Sequence, residues 1–577
     1  NDAKLPSSFP ANRGKYNSLT EAQKIAVTKD FKDEVYKEQQ YKAAPIQTYN
    51  ISWGNSKRYN NGGAFGTVLS VIYRKSMNLF DVNRNLYQDD GVKVVDFYDK
   101  QNKYAVSTSA MANFSYVKGK HKVSFKNLFS QGYENNYYHR SGENTDRGGD
   151  VALTSSVPAQ RTFYAGIFEG NHQLNWKDVK VYWNAGYAYN DKKQEDLRTS
   201  AYLKSTGTHD FEWDQDDTRR FWSRLKDHSF SGNIAVTMPY KAFGEKQSLK
   251  LGGASTIRFR DFGSRIFRYT EASDAFNQSY KTLPFDQIFD RDHISNTGFK
   301  MEEFTNNTDK YWAVSTLNAG YIVSDNKISD DWRLVLGARL EYFEQFLNSK
   351  DLSGKRITIN TEKYSILPSM NLTYNVNSQN LVRFSASKTV SRPEFREIAP
   401  FAFFDYEAYY GVRGNPDLKM TDIYNLDLRY EMYPGAGEAI TIGGFFKRFV
   451  NPIEFSLSTE SQVTRRNYFF ENAKDANTYG FEIELRKNLK FLGGGSDLLS
   501  DFSLFANFTY IFSEVSFNSE SAGKVTSSNR PIQGQSPYLI NGGLQYASRA
   551  NGWNATLLYN RVGNRLALVG SDQIKMP

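Results

Sequence analysis

The 577-residue chain contains no cysteine, so it has no disulfide bond, no thiolate metal ligand and no cysteine nucleophile. It also lacks any run of about 18 consecutive apolar residues, which excludes a protein that crosses membranes with hydrophobic helices. The six histidines are not spaced as HxxxH or HExxH, and the sequence contains neither a Walker loop nor a GxSxG turn. The sequence therefore indicates that the protein is not an enzyme, and we expect no catalytic residue, no metal and no cofactor.

Aromatic residues are abundant, at 15% of the chain, although the mean hydropathy is only −0.62. A disordered chain would be poor in aromatic residues, so this one folds. The 72 basic residues exceed the 63 acidic residues, which gives a net charge of +9. Because the basic residues are interleaved with acidic ones and form no arm or block, we expect no binding of nucleic acid.

Alternation of apolar and polar residues begins near residue 45 and predicts β-strands. In residues 333–343, Leu334 and Leu336 share one face of the predicted strand, and Arg333 and Arg339 share the other. Roughly 18 segments follow this pattern. They lie near residues 46–55, 63–73, 104–116, 121–130, 162–173, 179–190, 229–239, 247–260, 311–322, 333–343, 366–376, 381–390, 424–432, 438–449, 479–486, 502–512, 537–547 and 552–569.

The length and polarity of these strands indicate the class of protein. Strands of about 9–11 residues with one apolar and one charged face match a tilted crossing of the bilayer hydrocarbon. Many begin or end in an aromatic residue, such as Tyr104 and Tyr116, as in the girdles at the two membrane surfaces. Short turns alternate with long connections, which we expect outside the cell, near residues 74–103, 131–161, 191–228, 261–310, 345–365, 391–422 and 513–536. The sequence predicts an all-β protein, a transmembrane antiparallel β-barrel.

Several sequence runs resemble the TonB-dependent outer-membrane receptors, in the large-barrel branch that usually also carries an N-terminal carboxypeptidase-like domain. The runs are SRPEFRE at 391–397, GNPDLK at 414–419, NLDLRYE at 425–431, GGFFK at 443–447, NPIE at 451–454, ANTYGFE at 476–482, NRPIQGQSPY at 529–538 and LYNRVG at 558–563. Taken with the strands between residues 45 and 570, the resemblance covers almost the whole chain.

The resemblance implies a barrel of about 22 strands with a plug that enters from the periplasmic side. No plug, TonB box or carboxypeptidase-like domain is recognisable, and no amphipathic closing strand is seen before Pro577. We therefore expect residues 45–577 to be the barrel, incomplete at both ends, with one strand missing before residue 1 and about three after 577. Residues 1–44 are expected to be a segment of the first extracellular loop. A capping pattern at residues 18–21 predicts a short helix there, reaching about Lys42.

Aromatic residues in two of the predicted loops are candidates for ligand binding. Flat rings can stack on sugars or aromatic ligands at a low cost in entropy. The candidates are Trp213, Phe221 and Trp222 in one loop, and Tyr406, Tyr409 and Tyr410 in another. The alternative is that these rings pack the loops onto each other above the barrel. Both interpretations stay open for the first group, whereas a structural role is favoured for the second.

Residues 212–217, with the sequence EWDQDD, form the one acidic cluster that could hold calcium. The cluster lacks the glycine and the terminal glutamate of an EF-hand loop. We favour a solvated loop whose acids pair with Arg219, Arg220 and Arg224.

Two functions fit the sequence. In the first, the chain is a receptor that binds a scarce nutrient at the cell surface and imports it to the periplasm. The resemblance implies that a TonB-type complex of the inner membrane supplies the energy, through an N-terminal segment missing from this sequence. In the second, the chain is a barrel subunit of a larger outer-membrane assembly and acts as a scaffold or passive pore.

Either function implies an integral protein of the outer membrane of a Gram-negative cell. Its surroundings would be outer-membrane lipid and lipopolysaccharide. A surface lipoprotein or a larger membrane complex is a further partner to consider.

Overall fold

Antiparallel β-strands dominate the fold. The computed structural model describes residues 3–38, 40–87, 91–405, 410–457, 467–492, 497–516, 530–548 and 551–566. The strands are β1 (Gln47–Arg58), β2 (Gly63–Tyr87), β3 (Lys93–Lys118), β4 (His121–Asn144), β5 (Gly149–Gln173), β6 (Lys180–Ser205), β7 (Glu212–Trp213), β8 (Arg219–Ala242), β9 (Glu245–Glu271), β10 (Phe299–Glu303), β11 (Lys310–Lys327), β12 (Trp332–Lys350), β13 (Arg356–Asn375), β14 (Asn380–Ser391), β15 (Ala402–Asp405), β16 (Tyr410–Arg413), β17 (Thr421–Met432), β18 (Ala439–Val450), β19 (Ile453–Leu457), β20 (Asn467–Asn472), β21 (Asp475–Asn488), β22 (Phe502–Ser516), β23 (Tyr538–Ala547) and β24 (Asn554–Val562).

Within the described part of the chain, twenty of these strands form one large sheet. Eighteen are long and follow each other as a continuous antiparallel meander from β1 to β24, while the short β7 and β10 pair with the ends of β6 and β9. The remaining four, β15, β16, β19 and β20, form a small separate sheet. The 18 long strands match the 18 segments predicted from alternation, so that prediction is confirmed.

The strands are longer than the sequence predicts. Strands β2 to β6, β8 and β9 have between 24 and 27 residues each. The prediction of long connections is therefore wrong at residues 74–103, 131–161, 191–228 and 345–365, and partly wrong at 261–310. Backbone pairing continues beyond the apolar segments, where the side chains no longer alternate between apolar and polar.

The two faces of the sheet differ as a bilayer-spanning sheet requires. On β17, Leu426 and Leu428 are exposed on the outer face, while Asp427 and Arg429 lie on the inner one. On β8, Phe230 and Ile234 are exposed in the same way. Large apolar side chains that stay exposed in the folded chain form a surface suited to lipid.

Four short helices lie outside the large sheet: α1 (Arg13–Asn17), α2 (Glu21–Thr28), α3 (Phe395–Ile398) and α4 (Asp497–Ser500). The capping signal correctly marks the start of α2, where Thr20 and Gln23 bond each other's backbone N–H groups. The helix ends at Thr28 and not near Lys42, because the chain then turns to bury Phe31 and Tyr36. None of the helices in the described ranges is long and apolar enough to cross a membrane.

An aromatic cluster joins the N-terminal segment to the outer ends of β8 to β10. We call it the aromatic cap; its buried rings are Phe9, Tyr16, Phe31, Tyr36, Tyr202, Trp213, Trp222, Phe267, Tyr269, Phe276, Phe289 and Phe299. The Phe267 ring lies at its centre, 5.1 Å from the ring of Phe9 and 5.3 Å from that of Trp222. Burial of so many rings holds residues 3–38 firmly on the strands.

Ion pairs stabilise the outer ends of the strands as well. Asp99 on β3 accepts hydrogen bonds from Nε and Nη2 of Arg140 on β4, at 2.7 and 2.8 Å, and both side chains are buried. Burial alone would raise the pKa of Asp99, but the hydrogen bonds from Arg140 and Arg84 outweigh it and lower the pKa. The pair lies above the apolar part of β3. There, hydrogen bonds between charged side chains help to hold the neighbouring strands together.

Replacing Phe267 by Ala should loosen the aromatic cap. The ring is fully buried, so its loss should destabilise the packing of residues 3–38 by about 3–5 kcal/mol. Hydrogen exchange of the α2 amides measures this as faster local opening. Phe243→Ala, in the exposed turn between β8 and β9, is the control, and equal protection of α2 in both variants would contradict the packing described here.

Candidate functional site

The structure places Trp213 and Trp222 inside the aromatic cap. Trp213 is 6% exposed, and its ring centroid lies 4.9 Å from that of Phe299. Trp222 is 8% exposed, and its Nε1 donates a hydrogen bond to the carbonyl oxygen of Ala3 at 2.8 Å. This packing agrees with the structural interpretation of the two rings, and their binding of a ligand stays a prediction.

The other aromatic candidates lie elsewhere. Phe221 is half-buried. It precedes Trp222 on β8, so its side chain points to the face of the strand opposite to that of Trp222. Tyr410 is half-buried at the start of β16, with its ring centroid 4.9 Å from that of Tyr468. Tyr406 and Tyr409 lie outside the described residues. The four described candidates therefore do not form a single site.

The acids of the 212–217 cluster have a different partner from the one expected. Asp214 and Asp217 both pair with Arg147, which follows β4, and the Asp217 distance is 2.6 Å. Of the expected partners, Arg220 pairs with Asp196 and Arg224 with Asp191, while Arg219 Nε donates to the backbone oxygen of Asp216. Burial is the main reason that the pKa of Asp214 is raised. Across the described ranges, no three His, Asp or Glu side chains gather in a way that could hold a metal ion.

A cavity of about 900 Å³ lies on the inner face of the large sheet, and we call it the lumenal cavity. Strands β14, β17, β18, β21 and β22 form its wall, and residues around α3, β19, β20 and 530–535 cover it. The register fixes which side chains face inward: Lys447 lies opposite Thr478, whereas their neighbours Phe446 and Tyr479 are exposed on the outer face. The lining includes Ser391, Arg392, Glu394, Glu397, Thr421, Ile423, Asp427, Phe445, Lys447, Phe449, Pro452, Ile453, Glu454, Phe455, Phe470, Thr478, Glu482, Ile511, Ile532, Gln533 and Gln535.

Helix α3 and Arg392 form one side of this cavity. The backbone N–H of Glu394 donates to the Glu397 carboxylate at 2.8 Å, which closes the first turn of α3. Arg392 donates to the carboxylate of Glu341, and its guanidinium carbon lies 4.9 Å from the ring centroid of Phe343. An ion pair and a ring therefore hold this cation at the edge of the cavity.

A second buried ion pair forms the opposite side. Arg530 Nη2 lies 2.8 Å from Glu454 Oε2, and both side chains are almost completely buried. Gln533 accepts a hydrogen bond from the backbone N–H of Phe455 at 3.2 Å. Burial raises the pKa of Glu454 even with Arg530 beside it. These contacts join residues 530–535 to β19 above the cavity.

Two buried polar atoms of lining residues have no hydrogen-bond partner within the described part of the chain. Thr478 is 6% exposed, and its Oγ1 makes no hydrogen bond to any residue of the described ranges; the same holds for Nε of Arg392. Buried polar groups are normally paired, so these two atoms are exceptions. Phenylalanine rings supply the apolar walls. This combination is typical of small-molecule binding sites.

The sequence predictions for a site missed this cavity. A signal was present: the runs at 391–397, 443–447, 451–454, 476–482 and 529–538, which carry the family resemblance, all contribute to its lining. The runs indicate a family, but nothing in them marks a binding site, whereas aromatic residues in the predicted loops carry a recognisable signal for binding.

Arg530→Met should destabilise the cover of the lumenal cavity. Removing the cation leaves the Glu454 carboxylate buried without its partner, at a cost of about 3–5 kcal/mol. Hydrogen exchange of the β19 amides should show the loss. The double variant Arg530→Met/Glu454→Met should recover most of it, and a double variant as unstable as the single one would contradict the ion-pair explanation.

Comparison with known proteins supports the fold. The family model described as TonB dependent receptor-like, beta-barrel, matches residues 96–575. The siderophore receptor PiuA from Acinetobacter baumannii is 12% identical, with a TM-score of 0.54, over 89% of this chain and 69% of that one. The alcaligin outer membrane receptor FauA from Bordetella pertussis is 12% identical, with a TM-score of 0.44, over 92% of this chain and 70% of that one. No curated protein matches the sequence.

Proposed function

Because this chain belongs to the TonB-dependent receptor-like β-barrel family, we propose that it captures a scarce nutrient in its lumenal cavity and imports it to the periplasm. Proteins of this family are outer-membrane receptors and transporters and not enzymes, and that description applies to this chain. The nutrient itself, its capture site and the energised import step form the proposal.

The lumenal cavity is the observation that carries the proposal. It lies on the inner face of the sheet, and its lining includes the cations Arg392 and Lys447, the acids Asp427 and Glu482, and Thr478. Its phenylalanine walls and its mixture of acids with Lys447 suit a ligand that has both apolar and polar parts. Such a ligand would bond to the polar side chains of the lining and contact its rings, which supports binding at this place.

Energy for import is proposed to come from a TonB-type complex of the inner membrane, with which receptors of this family work. We also propose that residues 1–44 belong to the first extracellular loop and that residues 45–577 belong to the barrel. The aromatic cap supports this division, since residues 3–38 pack on the outer ends of β8 to β10.

An uptake assay tests the proposal with the full-length protein in the outer membrane of cells that lack their own copy. The probes are radiolabelled ferric siderophores, cobalamin, oligosaccharides and short peptides. We expect one of these probes to accumulate, and we expect a protonophore to abolish its accumulation. Uptake that is indifferent to the protonophore would instead support a passive pore.

Thr478→Trp should lower that uptake by at least about tenfold, because a loss of about 1.4 kcal/mol in binding has that effect. The indole would occupy part of the cavity and remove the Thr478 hydroxyl. Thr67→Trp, at a position on the outer face of β2, is the matched control and should transport normally. Normal uptake by Thr478→Trp would show that the nutrient is not captured in this cavity.

A further inference from the structure

A groove of about 610 Å³ crosses the outer face of the large sheet, over β8, β9, β11 and β12. Three glycines lie in its floor: Gly253 lies opposite Gly320, and Gly232 lies in the neighbouring row of the same face, opposite Ser255. A Cβ atom added at Gly320 would meet nothing within 4 Å. A neighbouring surface can therefore approach the backbone closely here, as glycine contacts between membrane segments allow.

A ridge stands directly beside this groove. Tyr364 and Ile366 on β13 are 70% and 67% exposed, and the Tyr364 ring leans on that of Tyr342, with centroids 4.8 Å apart. Strand β13 lies two strands from β11, which places the ridge roughly 10 Å from the centre of the groove. The chain thus carries a concave and a convex apolar feature side by side.

The groove also contains a polar pair. Ser255 Oγ donates to Asn318 Oδ1 at 2.8 Å, while Asn318 Nδ2 donates to no residue in the part of the chain that the structure describes. Exposed Leu251 and Ile257 flank Ser255 along its strand, and exposed Ile322 follows Asn318. Among hydrocarbon tails, an amide without an acceptor is costly, and the tails offer none. This pair therefore favours a protein neighbour over lipid.

We propose that the groove binds a second copy of this chain, in a two-fold dimer within the membrane. The Tyr364–Ile366 ridge of each copy fits into the glycine floor of the other. Both copies therefore use the same surface for the contact, as two-fold symmetry requires. The Tyr364 hydroxyl oxygen is the acceptor that the Asn318 amide lacks. Ridge, groove, donor and acceptor all occur on one surface of the same chain, which favours a second copy over an unrelated partner.

The dimer is tested by the mass of the full-length protein, measured by light scattering in mild detergent and in membrane-derived nanodiscs. Gly320→Phe places a ring in the groove from a position where an added Cβ meets nothing within 4 Å, so it should raise the dimer dissociation constant at least tenfold. Gly542→Phe is the matched control, because this glycine shares the outer face and also has nothing within 4 Å of an added Cβ. It should leave the dimer unchanged.

Cross-linking in intact membranes locates the contact. The chain has no cysteine, so an introduced thiol is unique. Two differently tagged chains, one with Tyr364→Cys and one with Gly320→Cys, should form a mixed disulfide on oxidation, whereas Tyr364→Cys with Gly542→Cys should not. Absence of the mixed product, a dimer indifferent to Gly320→Phe, or an unlike protein retained on this groove would each overturn the proposal.

Discussion

Continuous pairing of backbone groups between neighbouring strands is the constraint on which the rest of this structure depends. Hydrocarbon offers no water to an open N–H or C=O group, so strands that cross it bond to their neighbours. Strands β11 and β12 satisfy this without a break, from Trp312 opposite Asn348 to Lys327 opposite Arg333. Once the register is fixed, alternation decides which side chains meet lipid and which meet the lumen. The inward positions of Lys447 and Thr478, and hence the lumenal cavity, follow from this register.

The same constraint explains what the sequence could and could not reveal about the fold. Alternation arises where a strand has lipid on one side and a wet lumen on the other, so all 18 long strands could be found from it. Above the membrane other segments of the chain pack on the strands, as in the aromatic cap, so the contrast between a lipid face and a lumenal face ends although pairing continues. The buried contact between Asp99 and Arg140 belongs to that part of β3 and β4, and no periodic pattern in the sequence predicts it. The end of α2 at Thr28 was missed for a similar reason, since the burial of Phe31 in the aromatic cap overrides local helix propensity.

The candidate site was harder to predict because it is assembled from distant segments. A tryptophan in a loop indicates a flat apolar surface but not what that surface faces, and Trp213 and Trp222 face other rings of the same chain. Arg147 pairs with acids 67 and 70 residues away, where proximity in sequence had suggested other arginines. Arg530 and Glu454 are 76 residues apart and meet only because both segments return over the same strands. Such convergence is a property of the register and is not visible in any single stretch of sequence.

The extra length of the strands also affects how the outside world meets this protein. In β3, residues 93–103 extend beyond the segment between Tyr104 and Tyr116, which is on the order of 30 Å of additional strand. Strands of this length extend the sheet beyond the hydrocarbon layer and past the headgroups. A solute that arrives from the medium therefore meets the protein before it meets any lipid.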